Sequence, residues 1–116
     1  MSILIQQGPL ALMAAFVVIH ALADFPLQGD YIARQKNRSL ADSRSDWIVA
    51  LIAHCVIHAG GVWLISGSLA LAAAEALLHG LIDLGKGEEK FGIATDQILH
   101  VICKLGYVLV LTNGWL

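Results

Sequence analysis

Residues 73–100, AAEALLHGLIDLGKGEEKFGIATDQILH, decide how this chain folds. Two apolar runs flank a short polar turn, Gly85 to Gly92. Each run carries a His and an Asp one helical turn apart: His79 with Asp83, and Asp96 with His100. Side chains at i and i+4 of an α-helix project from one face. An antiparallel pair of helices joined by this turn therefore brings Asp83 level with Asp96, and His79 level with His100 one turn deeper. The same arrangement recurs upstream, with His20 and Asp24 on one apolar stretch and His54 and His58 on another.

The chain has 116 residues, the size of one domain. Its composition is 58% hydrophobic and 14% charged, far from the roughly 45–50% and about 25% of soluble domains. With a mean hydropathy of +0.74, an integral membrane protein is expected. A net charge of −2 excludes the basic face that nucleic-acid binding requires. Cys55 and Cys103 both fall inside apolar runs, so neither reads as half of a secretory disulfide framework. The start of the chain lacks the basic segment and small-residue cleavage site of a signal peptide, and Met1 onward is read as mature chain.

Four spans are predicted, at about 9–24, 47–65, 69–84 and 94–112, forming one membrane domain over 1–116. Pro9 suits the first position of span one, and Pro26 should end or kink it by withholding a backbone donor. A short amphipathic helix, Pro26 to Lys36, is expected next, capped by Asp24 and apolar along Leu27, Tyr31 and Ile32. Asp46 is expected to cap span two, and Ser66–Ser68 to turn into span three. The fold class is thus all-α: a four-helix transmembrane bundle with a short amphipathic helix on the cytoplasmic side after span one. The spans sit near the short end of the roughly 17–25 residues a bilayer crossing takes. A soluble bundle would need a polar outer stripe on every helix, and span three has none.

Arg34, Lys36, Arg38 and Arg44 lie between spans one and two, and Lys86 and Lys90 between three and four. The two ends of the chain and the Ser66–Ser68 turn have no Lys or Arg. The positive-inside rule then places both long connections in the cytoplasm and both termini outside, in a bacterial inner membrane. Trp47 fits the inner aromatic belt, and Trp63 and Trp115 the outer one.

All five histidines and three of the six aspartates fall in the predicted spans. An ionisable group there costs about 2.5–3.5 kcal/mol on insertion scales, so it normally faces the bundle interior and marks function. Asp24, His54, Asp83 and Asp96 are expected in one tier near the cytoplasmic surface, and His20, His58, His79 and His100 in a tier one turn deeper. Imidazole and carboxylate are the ligands of zinc, manganese and iron, and facing helices of bundles supply such pairs. Zinc is the first choice of metal. Charge balance over three aspartates favours two ions over one. An unmetallated polar network is the plainer alternative; haem could use paired histidines but leaves the aspartates unexplained.

Gln28 and Gln97 are placed to hydrogen-bond a ligand, and Lys36 and Lys86 to hold an anionic group. Glu75 lies one turn beyond His79 and Lys104 one turn beyond His100, which predicts a buried ion pair beneath the second tier.

The order His20-x-x-x-Asp24-Phe25-x-Leu27-Gln28, Lys36, His54-x-x-x-His58, His79-x-x-Ile82-Asp83-x-x-Lys86, Asp96-Gln97-x-x-His100 resembles the signature of a bacterial and phage family, domain of unknown function 3307. The resemblance covers nearly the whole chain. It implies a small multi-pass membrane protein with no established activity, and it does not include Glu75 or Lys104.

Three functions compete. The first is a metal-dependent hydrolase at the cytosolic face, acting on a lipid-like or phosphorylated substrate. The second is a divalent metal-ion carrier, for which the internal repeats or broken helices of carriers are not evident. The third is a structural or accessory membrane protein with a metal or polar-network core. Eight candidate ligands exceed the four of a closed structural site, which favours the hydrolase. Lipid is the expected environment and a homodimer is allowed for.

Overall fold

The computed structural model describes residues 3–116 and is all-helical over them. Six helices follow in order: α1 (Ile3–Gln6), α2 (Pro9–Asp24), α3 (Gly29–Gln35), α4 (Arg44–Ser66), α5 (Leu69–Gly87) and α6 (Ile93–Thr112). The four expected spans coincide with α2, α4, α5 and α6, while α1 was not foreseen.

Local chemistry sets most boundaries. Pro9 opens α2, and Pro26 lies just beyond its end, where the Phe25 N–H still reaches the Ala21 carbonyl at 3.1 Å. The chain then bends by 86° into α3. Asp24 does not cap α3: Gln28 holds that position without a side-chain bond, and the Asp24 carboxylate turns into the bundle instead. Helix α3 is also shorter than the expected 26–36, and Leu27 and Tyr31 lie exposed. Ser43, not Asp46, caps α4. Its Oγ accepts the Asp46 N–H at 3.0 Å, the N-cap bond of a serine, and donates to the Asp46 carboxylate at 2.6 Å. Gln35, buried on α3, ties down the connection before it: its Nε2 donates to Asp42 Oδ2 at 2.6 Å and its Oε1 accepts from the Asp42 amide at 2.9 Å. Gly67 ends α4 at φ 71°, a left-handed conformation that favours glycine, and Ser68 caps α5 through the Leu71 N–H.

Helix α2 packs on α4 and α6, and α5 packs on the same two, so the four long helices form a ring; α3 lies against α4. The bundle measures 45 × 23 × 23 Å. Its interior divides in two along its length. Near the Ser66–Ser68 end the core is apolar: Leu12, Phe16, Val62, Ile65, Leu71, Tyr107 and Val108. Towards the opposite, basic end most of the larger buried side chains are polar, and they include every histidine.

The outside is the reverse. Leu10, Val49, Leu64, Leu77 and Leu81 are each at least 65% exposed, a density of outward apolar side chains that soluble monomers rarely show. Helices α4 (23 residues) and α6 (20 residues) are long and apolar enough to cross a membrane, and the bent pair α2–α3 makes a third if taken as one span. That is coarser than the four expected crossings. Helix α2 alone has 16 residues, about 24 Å at 1.5 Å per residue, and α5 carries Glu75, Asp83 and Lys86.

Helices that associate in lipid rely on close packing across small residues. At Gly61 an added Cβ would lie 2.6 Å from Ile19 Cγ1 on α2, whereas at neighbouring Gly60 it would meet nothing within 4 Å. Gly61→Ala should therefore cost about 1–3 kcal/mol through overpacking. The thermal midpoint in detergent should fall for Gly61→Ala and not for Gly60→Ala; equal midpoints would contradict this packing.

Candidate metal centre

Four helices deliver the polar side chains to one place because each carries an i, i+4 pair on its inner face. Helix α2 supplies His20 and Asp24, α4 supplies His54 and His58, α5 supplies His79 and Asp83, and α6 supplies Asp96 and His100. All five imidazoles are buried, and their ring centres stand 3.6–5.8 Å apart where they face one another. His58, His79 and His100 form a stack, with centres 3.6 and 4.2 Å apart.

Asp24 is the hub. Its Oδ1 lies 2.9 Å from His58 Nε2, 3.2 Å from His54 Nε2 and 3.9 Å from His79 Nε2. Its Oδ2 lies 3.1 Å from His20 Nε2 and accepts the Gln97 amide at 3.0 Å. Asp83 spans the other side: Oδ1 is 3.4 Å from His100 Nε2 and 3.6 Å from His79 Nε2, and Oδ2 accepts from Lys36 Nζ at 2.7 Å. The two expected tiers are thus one cluster, since Asp24 touches both His54 and the deeper His20 and His58.

Ligand atoms of Asp24, His54, His58 and His79 all lie within 4.8 Å of one another, as do those of His79, Asp83 and His100, of His20, Asp24 and His100, and of His20, His58, Glu75 and His79. Seven of the eight residues singled out in the sequence fall in these groups; Asp96 does not. It sits at the edge, 3.6 Å from His100 Nε2 and bonded by Gln97 at 3.0 Å. Gln97 also pairs with His20 at 3.3 Å, joining α2 to α6. Gln28 makes no hydrogen bond to the cluster among the described residues, and its Oε1 is buried without a partner among them.

The lysines differ in their roles. Lys36 points inward, bonding Asp83 and lying 3.2 Å from His54 Nε2. Lys86 stays half exposed, 3.9 Å from Asp96. Both line a small cavity of about 100 Å³ at the basic end, with Ala33, Asn37, Asp83 and Gly87.

Below the imidazoles, Lys104 Nζ donates to Glu75 Oε1 at 2.5 Å and Tyr107 OH to Glu75 Oε2 at 2.8 Å, all three buried. Sequence reasoning missed Tyr107, although it stands three residues after Lys104 and so shares its face. Removing one partner of a buried pair strands the other charge, at about 3–5 kcal/mol. Lys104→Met should lower the thermal midpoint in detergent sharply, and Glu75→Leu combined with Lys104→Met should regain most of it. A double variant no more stable than the single one would contradict this.

The chain gives no match among curated proteins and none among solved structures. A family model described as "Protein of unknown function (DUF3307)" matches residues 12–114. With nearly its whole length matched, including every residue of the cluster, the chain belongs to the DUF3307 family.

Proposed function

We propose that this protein is a membrane-embedded metalloprotein that binds one divalent ion, zinc by the chemistry of its donors, at Asp24, His54, His58 and His79. The observation that carries the reading is the spacing of those four donors. Zinc bonds of about 2.0–2.1 Å at tetrahedral angles put neighbouring ligand atoms ~3.3 Å apart. The Asp24 Oδ1 distances of 2.9, 3.2 and 3.9 Å bracket that value. His79 Nε2 supports it too, being buried without a hydrogen-bond partner among the described residues.

Charge favours one ion over two. Glu75 has Lys104, Asp83 has Lys36, and half-exposed Lys86 lies near Asp96. Asp24 has only imidazoles and an amide around it. Four carboxylates against the two buried ammoniums of Lys36 and Lys104 leave two negative charges, which one divalent ion balances. The aspartates alone argued for a dinuclear centre; the two lysines remove that need.

The basic end faces the cytoplasm in this reading, following the positive-inside rule, with both termini outside. Access to the ion is from that end, where Lys36 and Lys86 flank the cavity beside Asp83. The apolar half, closed by Phe16 packed edge-on to Tyr107 at 6.0 Å, stands between the site and the opposite end. A one-sided approach favours hydrolysis over carriage of ions across the membrane. Bound here, zinc supplies a Lewis acid for water and for an ester oxygen. Lys36 and Lys86 attract a phosphorylated or lipid-like anion, and Asp83 and His100 stand ready to take up a proton.

Protein purified in detergent and loaded with zinc should hold about one equivalent by elemental analysis. Asp24→Ala and His58→Ala should hold less than a tenth of that. A wild type without zinc, or variants that retain it, would contradict the metal reading. Zinc-dependent cleavage of a chromogenic phosphoester, abolished by chelator, is expected of the hydrolase; zinc-dependent ion flux into liposomes instead would support a carrier.

A further inference from the structure

We infer that Asp83, His100 and His79 form a second, transient site for the divalent ion, through which it passes from the cavity at the basic end to its resting place at Asp24. This rests on the metal reading above and concerns how the ion arrives.

The donors stand close together and have free atoms. Asp83 Oδ1 lies 3.4 Å from His100 Nε2 and 3.6 Å from His79 Nε2. Ligand atoms of the three residues all fall within 4.8 Å of one another. Those two distances are near the ~3.3 Å between ligand atoms around a tetrahedral zinc ion. Both ring nitrogens are buried without a hydrogen-bond partner among the described residues, where a buried polar atom normally has one. Asp83 divides its oxygens: Oδ2 accepts from Lys36 Nζ at 2.7 Å, and Oδ1 is turned to the two rings. The carboxylate can therefore meet an ion without giving up its lysine. Asp96 repeats the pattern. Gln97 and Lys86 stand at its Oδ2, at 3.0 and 3.9 Å, while its Oδ1 is buried without a partner among the described residues, 3.6 Å from His100 Nε2. That oxygen is a further acceptor beside the same ring nitrogen.

Position orders the two sites. Asp83 lines the cavity with Lys36 and Lys86, whereas Asp24 and the histidines do not. His79 Nε2 then links them, 3.6 Å from Asp83 Oδ1 and 3.9 Å from Asp24 Oδ1. One ring nitrogen ligates one ion at a time, so the sites hold a single ion by turns, in keeping with the charge balance. The outer site offers three donors against four at Asp24, and three protein ligands leave one position of a zinc ion to water. The fuller shell holds the ion more tightly, so transfer runs inward.

A transit site changes rates and leaves the end point where it was: without it, uptake and release slow alike. His100 is the residue to change, being outside the four donors of the resting site. His100→Phe keeps a ring against His79, whose centre is 4.2 Å away, and removes the donor; His100→Gln gives up the ring and keeps a donor oxygen. Stopped-flow mixing of the detergent-solubilised protein with zinc, and of the loaded protein with chelator, should show His100→Phe at least about tenfold slower than wild type in both directions. Its Kd should stay within a few fold of wild type, and His100→Gln should fall between the two in rate. Asp24→Ala, which lacks the resting site, should still hold zinc weakly when titrated with excess, and lose that binding when combined with His100→Phe. Unchanged rates in His100→Phe would overturn the inference, as would absence of the weak binding in Asp24→Ala. So would His100→Gln slower than His100→Phe, the order expected if the ring only packs, or a weakened Kd with uptake unchanged, which would make His100 a ligand of the resting ion. A wild type that binds no zinc would overturn the metal reading and the transit site together.

Discussion

One carboxylate without a lysine, largely enclosed by imidazoles, governs this structure. Asp24 sits at the end of α2 with the Nε2 atoms of His20, His54 and His58 at 2.9–3.2 Å and that of His79 at 3.9 Å. In a low-dielectric interior an anion needs a cation or strong donors close by. The acid of this half with an inward lysine, Asp83, already has Lys36. The metal site proposed above rests on this imbalance at Asp24.

The fold serves that arrangement from both ends. At the basic end, Asp24 turns inward on the face of α2 it shares with His20, and the 86° bend after it carries α3 round to deliver Lys36 over Asp83. At the other end, interlocked apolar side chains around Phe16 and Val62 fix the rotation of each helix, since a helix turned by one position would carry its pair out of the centre. The Glu75–Lys104–Tyr107 group marks the boundary between halves and ties α5 to α6.

Much of this was legible in the chain because the informative residues are spaced by whole helical turns. The pairs at 20/24, 54/58, 79/83 and 96/100 indicate both where the helices run and which face turns inward, and Glu75 and Lys104 extend the same faces by one turn. Less legible was whatever depends on how far side chains reach. Residue level along a helix predicted two tiers, but a carboxylate at a helix end and a rotated imidazole close that gap, so Asp24 meets both. Lys36 looked like a surface anion binder because its position after α3 says nothing of an 86° bend that turns it inward. The cap of α4 was placed on Asp46 instead of Ser43 because both are good capping residues, and only the bond from the Asp46 N–H to Ser43 Oγ separates them. Four crossings were expected from apolar length, yet α5 gives part of its length to charges that the centre uses.

Zinc-edge X-ray absorption of the loaded protein tests the central claim most directly. The account predicts one ion with three imidazole nitrogens and one carboxylate oxygen at about 2.0–2.1 Å. A shell of water oxygens with at most one imidazole, or a sulfur ligand at about 2.3 Å, would contradict it.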